Sequence, residues 1–147
     1  MTHLTLDAQQ YWSGTITWED VEPVFTSGEF DSPDQPGTGH GMSMALIGRL
    51  WLVRTEIRFP VIVTSGYRTE AHNRKVGGAP RSYHVSGLAA DVTCPGVDLK
   101  EFFLACEAVG FRGLGIYPEQ RFVHVDLGER GRPQRWTKRN GEYLYWL

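Results

Sequence analysis

Cysteine is scarce in this 147-residue chain, with only Cys94 and Cys106. Two thiols cannot build a Cys-rich zinc knuckle, an iron–sulfur cluster or the disulfide framework of a small secreted scaffold. Charge of one sign is scarce too. Lys plus Arg total 15 against 17 Asp plus Glu, a net −2, so no basic field draws the chain to nucleic acid or to an anionic membrane. No apolar run approaches the ~20 residues that span a bilayer. Residues 1–11, MTHLTLDAQQY, lack the basic and apolar segments of a secretory signal, which predicts a product made in the cytoplasm.

What is present is the composition of an ordinary globular protein, 41% hydrophobic and 22% charged. At about 150 residues a compact chain buries roughly 70% of its unfolded surface and needs no metal merely to fold. Any metal would serve chemistry, and its ligands would come from the five histidines and the carboxylates.

Residues 1–40 show little periodicity, and residues 27–41, SGEFDSPDQPGTGHG, are dense in turn formers. They read as an irregular N-terminal wrap anchored by Tyr11, Trp12, Trp18, Phe25 and Phe30, ahead of a core over 41–147 in a single domain of 1–147. A helix is predicted over residues 43–58, capped by Ser43, with Leu46, Leu50, Val53 and Ile57 on one face and Pro60 beyond its end. A β-branched strand follows at 61–64, then a short helix capped by Thr69. Residues 87–93 alternate, with Leu88, Ala90 and Val92 on one face and Ala89, Asp91 and Thr93 on the other. Asp98 is expected to cap a second helix, 99–109, ended by Gly110. Strands are predicted at 114–117 and 122–127, the latter placing His124 and Asp126 on one face, and Asn140-Gly141 signals a type I′ hairpin in the tail. The class is α+β, a small, mainly antiparallel sheet packed with two principal helices.

His84, Asp91 and His124 each sit among apolar or small neighbours, in SYHVSG, LAAD and FVHVD. Buried there, each must be paired or metal-bound, because unpartnered burial costs several kcal/mol. Two imidazoles and a carboxylate leave a fourth tetrahedral position open, the arrangement of a catalytic zinc site. Any one of these histidines alone is more often a satisfied structural residue than a ligand. The frame S-x-H-x-x-G-x-A-x-D over Ser82, His84, Gly87, Ala89 and Asp91 is asked for by neither turn chemistry nor core packing.

With Ser65-Gly66-Tyr67-Arg68 and Asn73, Val76-Gly77-Gly78-Ala79, that frame, Gly113-Leu114-Gly115-Ile116-Tyr117 and Phe122-Val123-His124-Val125-Asp126, the chain resembles the zinc D-Ala-D-Ala carboxypeptidase and L-alanyl-D-glutamate peptidase family. These are peptidoglycan metallopeptidases sharing the Hedgehog-type fold. The resemblance implies that His84, Asp91 and His124 hold Zn²⁺. It also implies that Arg68, whose planar fork suits a carboxylate or carbonyl, faces the substrate. Ser82 and Tyr117 are further candidates for substrate binding, while Trp136 and the tail aromatics read equally as a cleft wall or as core. The substrate the resemblance implies is a peptidoglycan stem peptide, cut by a carboxypeptidase or an endopeptidase, and a monomer is expected. The missing signal then suggests a phage or prophage endolysin, or a tail-associated lysin, reaching the wall by holin-type release or on a virion.

Many relatives carry an acidic residue three positions before the last histidine, where this chain has Arg121. Two carboxylates are candidates for the general base. Asp126 shares the His124 strand face and could instead accept the N–H of a zinc-bound histidine; Glu119 lies in the preceding loop. The substitution at 121 also opens a second reading, a zinc-stabilised, catalytically inactive binding or structural module of the same fold. A metal-free domain with merely structural histidines is a third. His3, His40 and His72 are expected at the surface, and Cys94 and Cys106 as buried thiols.

Overall fold

The computed structural model describes residues 6–146, so His3 lies outside the described residues. Its backbone elements are helices α1 (Ala8–Ser13), α2 (Trp18–Val21), α3 (Met44–Ile57), α4 (Glu70–Lys75) and α5 (Leu99–Val109), and strands β1 (Ile62–Ser65), β2 (Ala89–Thr93), β3 (Gly113–Tyr117), β4 (Phe122–Asp126), β5 (Gln134–Arg139) and β6 (Glu142–Tyr145). The α+β class follows, with α3 and α5 as the two long helices. The strands form one six-stranded sheet in the order β1-β2-β4-β3-β5-β6. Neighbours run antiparallel except β3 and β5, which are parallel. The sheet is therefore mixed rather than mainly antiparallel as expected, because the tail hairpin joins it by pairing β5 parallel to β3.

Helices α3 and α4 start as their sequence dictates. The Ser43 hydroxyl accepts from the Leu46 N–H at 3.3 Å, and the Thr69 hydroxyl caps α4 through His72 N–H at 3.1 Å. Asp98 occupies the N-cap position of α5, but its side chain makes no capping hydrogen bond, a correction to the expected role. Asn140 and Gly141 both adopt positive φ, 51° and 77°, as a type I′ turn requires.

The N-terminal region is more regular than its turn-rich composition suggested. Reciprocal caps organise it: Asp7 with Gln10, Thr17 with Asp20 and Thr26 with Glu29, where the second residue's side chain accepts from the first's N–H at 3.0, 2.7 and 2.7 Å. Tyr11 stacks on Trp51 at 3.8 Å between ring centroids. Buried Arg49 lies over the Trp12 ring at 3.9 Å and donates to the Trp12 carbonyl. Phe25 and Phe30 are fully buried, whereas Trp12 stays partly exposed and is tied by its indole N–H to the Val109 carbonyl at 2.8 Å.

One apolar cluster joins this wrap to α3, α5 and one face of the sheet: Phe25, Phe30, Leu46, Leu50, Phe102, Phe103, Val92, Leu114, Val123 and Val125 all belong to it. Alternation along β2 and β4 then sends the intervening residues to the opposite face. There the register sets Asp91 beside His124, His124 beside Gly115, Gly115 beside Trp136 and Trp136 beside Tyr145. A single row of site residues thus crosses five strands.

Candidate metal centre

His84 comes to the row from the 80–87 turn. The Ser82 hydroxyl accepts the His84 backbone N–H at 3.2 Å, and the His84 carbonyl accepts the Arg68 N–H at 3.1 Å. The loop is therefore laced to the segment after β1. His84 Nδ1 donates to the Gly66 carbonyl at 2.8 Å, which fixes the tautomer and leaves Nε2 facing Asp91 Oδ1 at 3.4 Å. His124 meets Asp126 through Nε2 at 2.7 Å and Asp91 through Nδ1 at 2.9 Å. Ligand atoms of His84, Asp91 and His124 all lie within 4.8 Å of one another. His40 and His72 stay outside this group, and Cys94 and Cys106 are buried free thiols.

The electrostatics are those of a site built to hold positive charge. Burial opposes the Asp91 charge, but hydrogen bonds with His124 and His84 hold its carboxyl well below the usual carboxylate range. Burial likewise opposes a charged His124, yet hydrogen bonds to Asp126 and Asp91 push its pKa up to about 9. For Asp126, burial is outweighed by His124 and Arg130, and its pKa falls to about 2. His84 Nε2 and His124 Nδ1 converge on one carboxylate, and each ring's other nitrogen is hydrogen-bonded to the protein. This donor set fits a borderline-soft divalent cation with the ring orientations already fixed.

The other expected residues divide. Arg68 lines the cleft over the cluster, as do Ser82 and Tyr117. Its guanidinium donates to Ser65 at 3.1 Å, Asn73 at 3.2 Å and Asp91 at 3.4 Å, so it is not spent on Glu70. Asp126 is fully buried behind the His124 ring, and its oxygens also accept from the Gly128 N–H and the Arg130 guanidinium. Glu119 is not brought to the cluster: it turns to the hairpin, accepting the Asn140 N–H at 2.6 Å. Arg121 adopts a left-handed φ of 59° in the β3–β4 turn and lines a separate groove with Pro118 and Thr93. Among the described residues lining the cleft, Asp91 and Asp126 are the carboxylates, and both are engaged.

Sequence reasoning gives no sign of two residues at the site, Arg130 and Lys138, and leaves a third, Trp136, open between cleft wall and core. Arg130 donates to Asp126 at 2.7 Å and lies over Tyr83 and Trp136 at 5.1 and 5.4 Å. Trp136, open between wall and core from sequence, is buried beside His124 at 5.5 Å and donates to Tyr117 Oη at 3.3 Å. Lys138 lines the cleft from β5. The available signal was the Gly-Leu-Gly of β3. A Cβ at Gly113 would sit 2.3 Å from the Asp126 carboxylate, and one at Gly115 would sit 2.3 Å from the Trp136 indole nitrogen. These glycines exist to admit those side chains.

Residues 24–126 match the family described as Peptidase M15. The chain is 38% identical over 76 residues to peptidoglycan L,D-endopeptidase MepK of Escherichia coli (strain K12), covering 48% of this chain and 42% of that protein. It is 31% identical over 97 residues to a probable peptidoglycan L,D-endopeptidase MepK of Haemophilus influenzae, covering 60% of this chain and 52% of that one. The chain thus spans about half the length of the curated relatives it matches.

Proposed function

The chain belongs to the Peptidase M15 family, and on that premise we propose that it is a zinc metallopeptidase hydrolysing peptide bonds of peptidoglycan stem peptides. The observation that carries this reading is the convergence of His84, Asp91 and His124 on the floor of an open cleft of about 500 Å³. These three would hold Zn²⁺. When bound, zinc supplies Lewis-acid polarisation of an amide carbonyl and activation of water near neutral pH.

The chain's own residues do the rest. Arg68 steadies Asp91 and keeps further N–H groups for a substrate carbonyl or carboxylate. Asp126, held by Arg130, takes the Nε2 proton of His124 as a hydrogen bond and so keeps Nδ1 on the metal side. That assigns Asp126 to positioning rather than to proton abstraction, and Glu119 to the hairpin. Tyr117, Ser82 and the glycine-rich segment at 76–79, pinned by buried Asn73 to the Ala79 carbonyl at 2.8 Å, form walls for an extended peptide. The single apolar cluster that joins the N-terminal wrap to α3, α5 and the sheet supports reading the chain, 1–147, as one peptidase domain, and the proposal takes it to act as a monomer. No helix among the described residues is long and apolar enough to cross a membrane, and the reading places action at the bacterial wall, after holin-type release or on a virion, as an endolysin does.

Mass spectrometry of muropeptides incubated with zinc-loaded protein tests this. Loss of a terminal D-Ala marks a carboxypeptidase and scission of an interior or cross-linking bond marks an endopeptidase; unchanged masses contradict both. One observation favours a second reading, a zinc-stabilised binding module without turnover: Arg121 rather than an acid stands three residues before His124, and both cleft carboxylates are already bonded. That module would retain zinc and bind muropeptides with no change in their masses.

A further inference from the structure

The chain as a whole carries a slight negative charge, −2, yet its cleft is lined by four cations, Arg68, Arg81, Arg130 and Lys138, against the two carboxylates Asp91 and Asp126. Those carboxylates are spoken for. Asp126 is taken by Arg130 and His124, and Asp91 by Arg68 and both histidines. Arg81 and Lys138 make no ion pair among the described residues.

Lys138 is the better placed of the two. It follows Trp136 by two residues on β5 and so projects from the same sheet face as the metal row. It is half-buried, and its ammonium rests over the Tyr143 ring at 4.7 Å, in register across the hairpin. Cation–π contact directs an ammonium without neutralising it, so the Tyr143 face orients Lys138 along the cleft while its charge stays available. A bound divalent ion would add to the positive field there, which favours anionic ligands over neutral ones.

We infer that Lys138, steered by Tyr143, binds a free carboxylate of the substrate, so that the cleft selects peptides carrying an uncapped acid over their carboxamides. The inference rests on the peptidase reading for its substrate class and deepens it by naming the group recognised. A charge-assisted hydrogen bond from a partly desolvated ammonium gives a preference of about tenfold.

The test compares the stem tetrapeptide L-Ala-γ-D-Glu-meso-diaminopimelate-D-Ala with a version amidated at all of its free carboxylates, the D-Glu α-carboxylate, the diaminopimelate side-chain carboxylate and the D-Ala C-terminus. Both Kd by calorimetry and turnover by mass spectrometry are read on zinc-loaded protein. The expected result is about tenfold tighter binding of the acid form, with the acid-to-amide ratio falling to near one in Lys138→Met and largely restored in Lys138→Arg. Circular dichroism and zinc content confirm that each variant is folded. A wild-type ratio near one, or a ratio unmoved by Lys138→Met, overturns the inference even if both peptides are cleaved. Acid-selective binding upholds it whether or not the tetrapeptide is cut, the peptidase reading falling only if cross-linked muropeptides are left uncut as well, and absence of binding by either peptide overturns the inference.

Discussion

The two faces of the sheet are built from the same short strands, yet they are governed by different physics. On one face Val92, Val123, Val125 and Leu114 are fully buried against the helices. On the other, Asp91, His124, Asp126, Trp136 and Lys138 are held by hydrogen bonds, ion pairs and ring contacts. Adjacent residues change role: Leu114 packs in the core, while its neighbours Gly113 and Gly115 give up their side chains so that Asp126 and Trp136 can cross β3. The lesson is separability. The apolar face supplies most of the chain's stability, and the polar face sets what it binds.

Substitutions can break that comparison. On the polar face, His84→Ala, Asp91→Ala and His124→Ala should each lower peptidoglycan hydrolysis by about 10³-fold or more, since a metal supplies several kcal/mol of transition-state stabilisation; turbidity loss of purified cell walls reads it. On the apolar face, Leu114→Ala should cost about 2–5 kcal/mol of stability in urea unfolding while zinc stoichiometry in the folded protein is unchanged. Loss of zinc on that substitution would show that the faces are coupled.

Asp126→Asn and Arg130→Met probe the layer behind His124. Each should weaken zinc binding by about 10–100-fold, measured by competition with a chromophoric chelator. Lysine at 130 keeps the charge but not the fork, and should restore part of the loss.

The polar face should also be the pH-sensitive one. The pKa of His124 in the folded metal-free chain is about 9, above the ordinary 6.5. The stabilisation from its charge is therefore complete below pH 6.5 and lost as pH rises through 9. The metal-free Tm is expected to fall across that window. Apparent zinc affinity should rise over the same window and level off above it, because the His124 proton no longer competes. Smallest of all, Glu119→Ala should change hydrolysis by no more than about twofold, as expected of a surface residue outside the cleft.

Much of this was legible in the sequence. Period-two alternation put His124 and Asp126 on one face, and the spacing from Ser82 to Asp91 marked a loop folding back over its own strand. Ser43, Thr69 and Asn140-Gly141 announced their caps and turn. The long-range features were hidden. The parallel pairing of β3 with β5 joins residues with no local pattern in common, so Trp136, Arg130 and Lys138 could not be placed near the histidines by periodicity. Glu119 was a fair candidate by chain distance alone, and only the hairpin's return to Asn140 shows where it goes. In the N-terminal region the cap spacings Asp7–Gln10, Thr17–Asp20 and Thr26–Glu29 were readable but were outweighed by turn-rich composition.

The central claim is that His84, Asp91 and His124 form a metal centre independent of the core. Elemental analysis of purified protein, with thermal melts of the same samples, tests it most directly. One zinc per chain in the wild type, and none in the three alanine variants while each still melts cooperatively, is the result the account predicts. A wild type that binds no zinc at stoichiometry, or variants that keep it, would contradict the account.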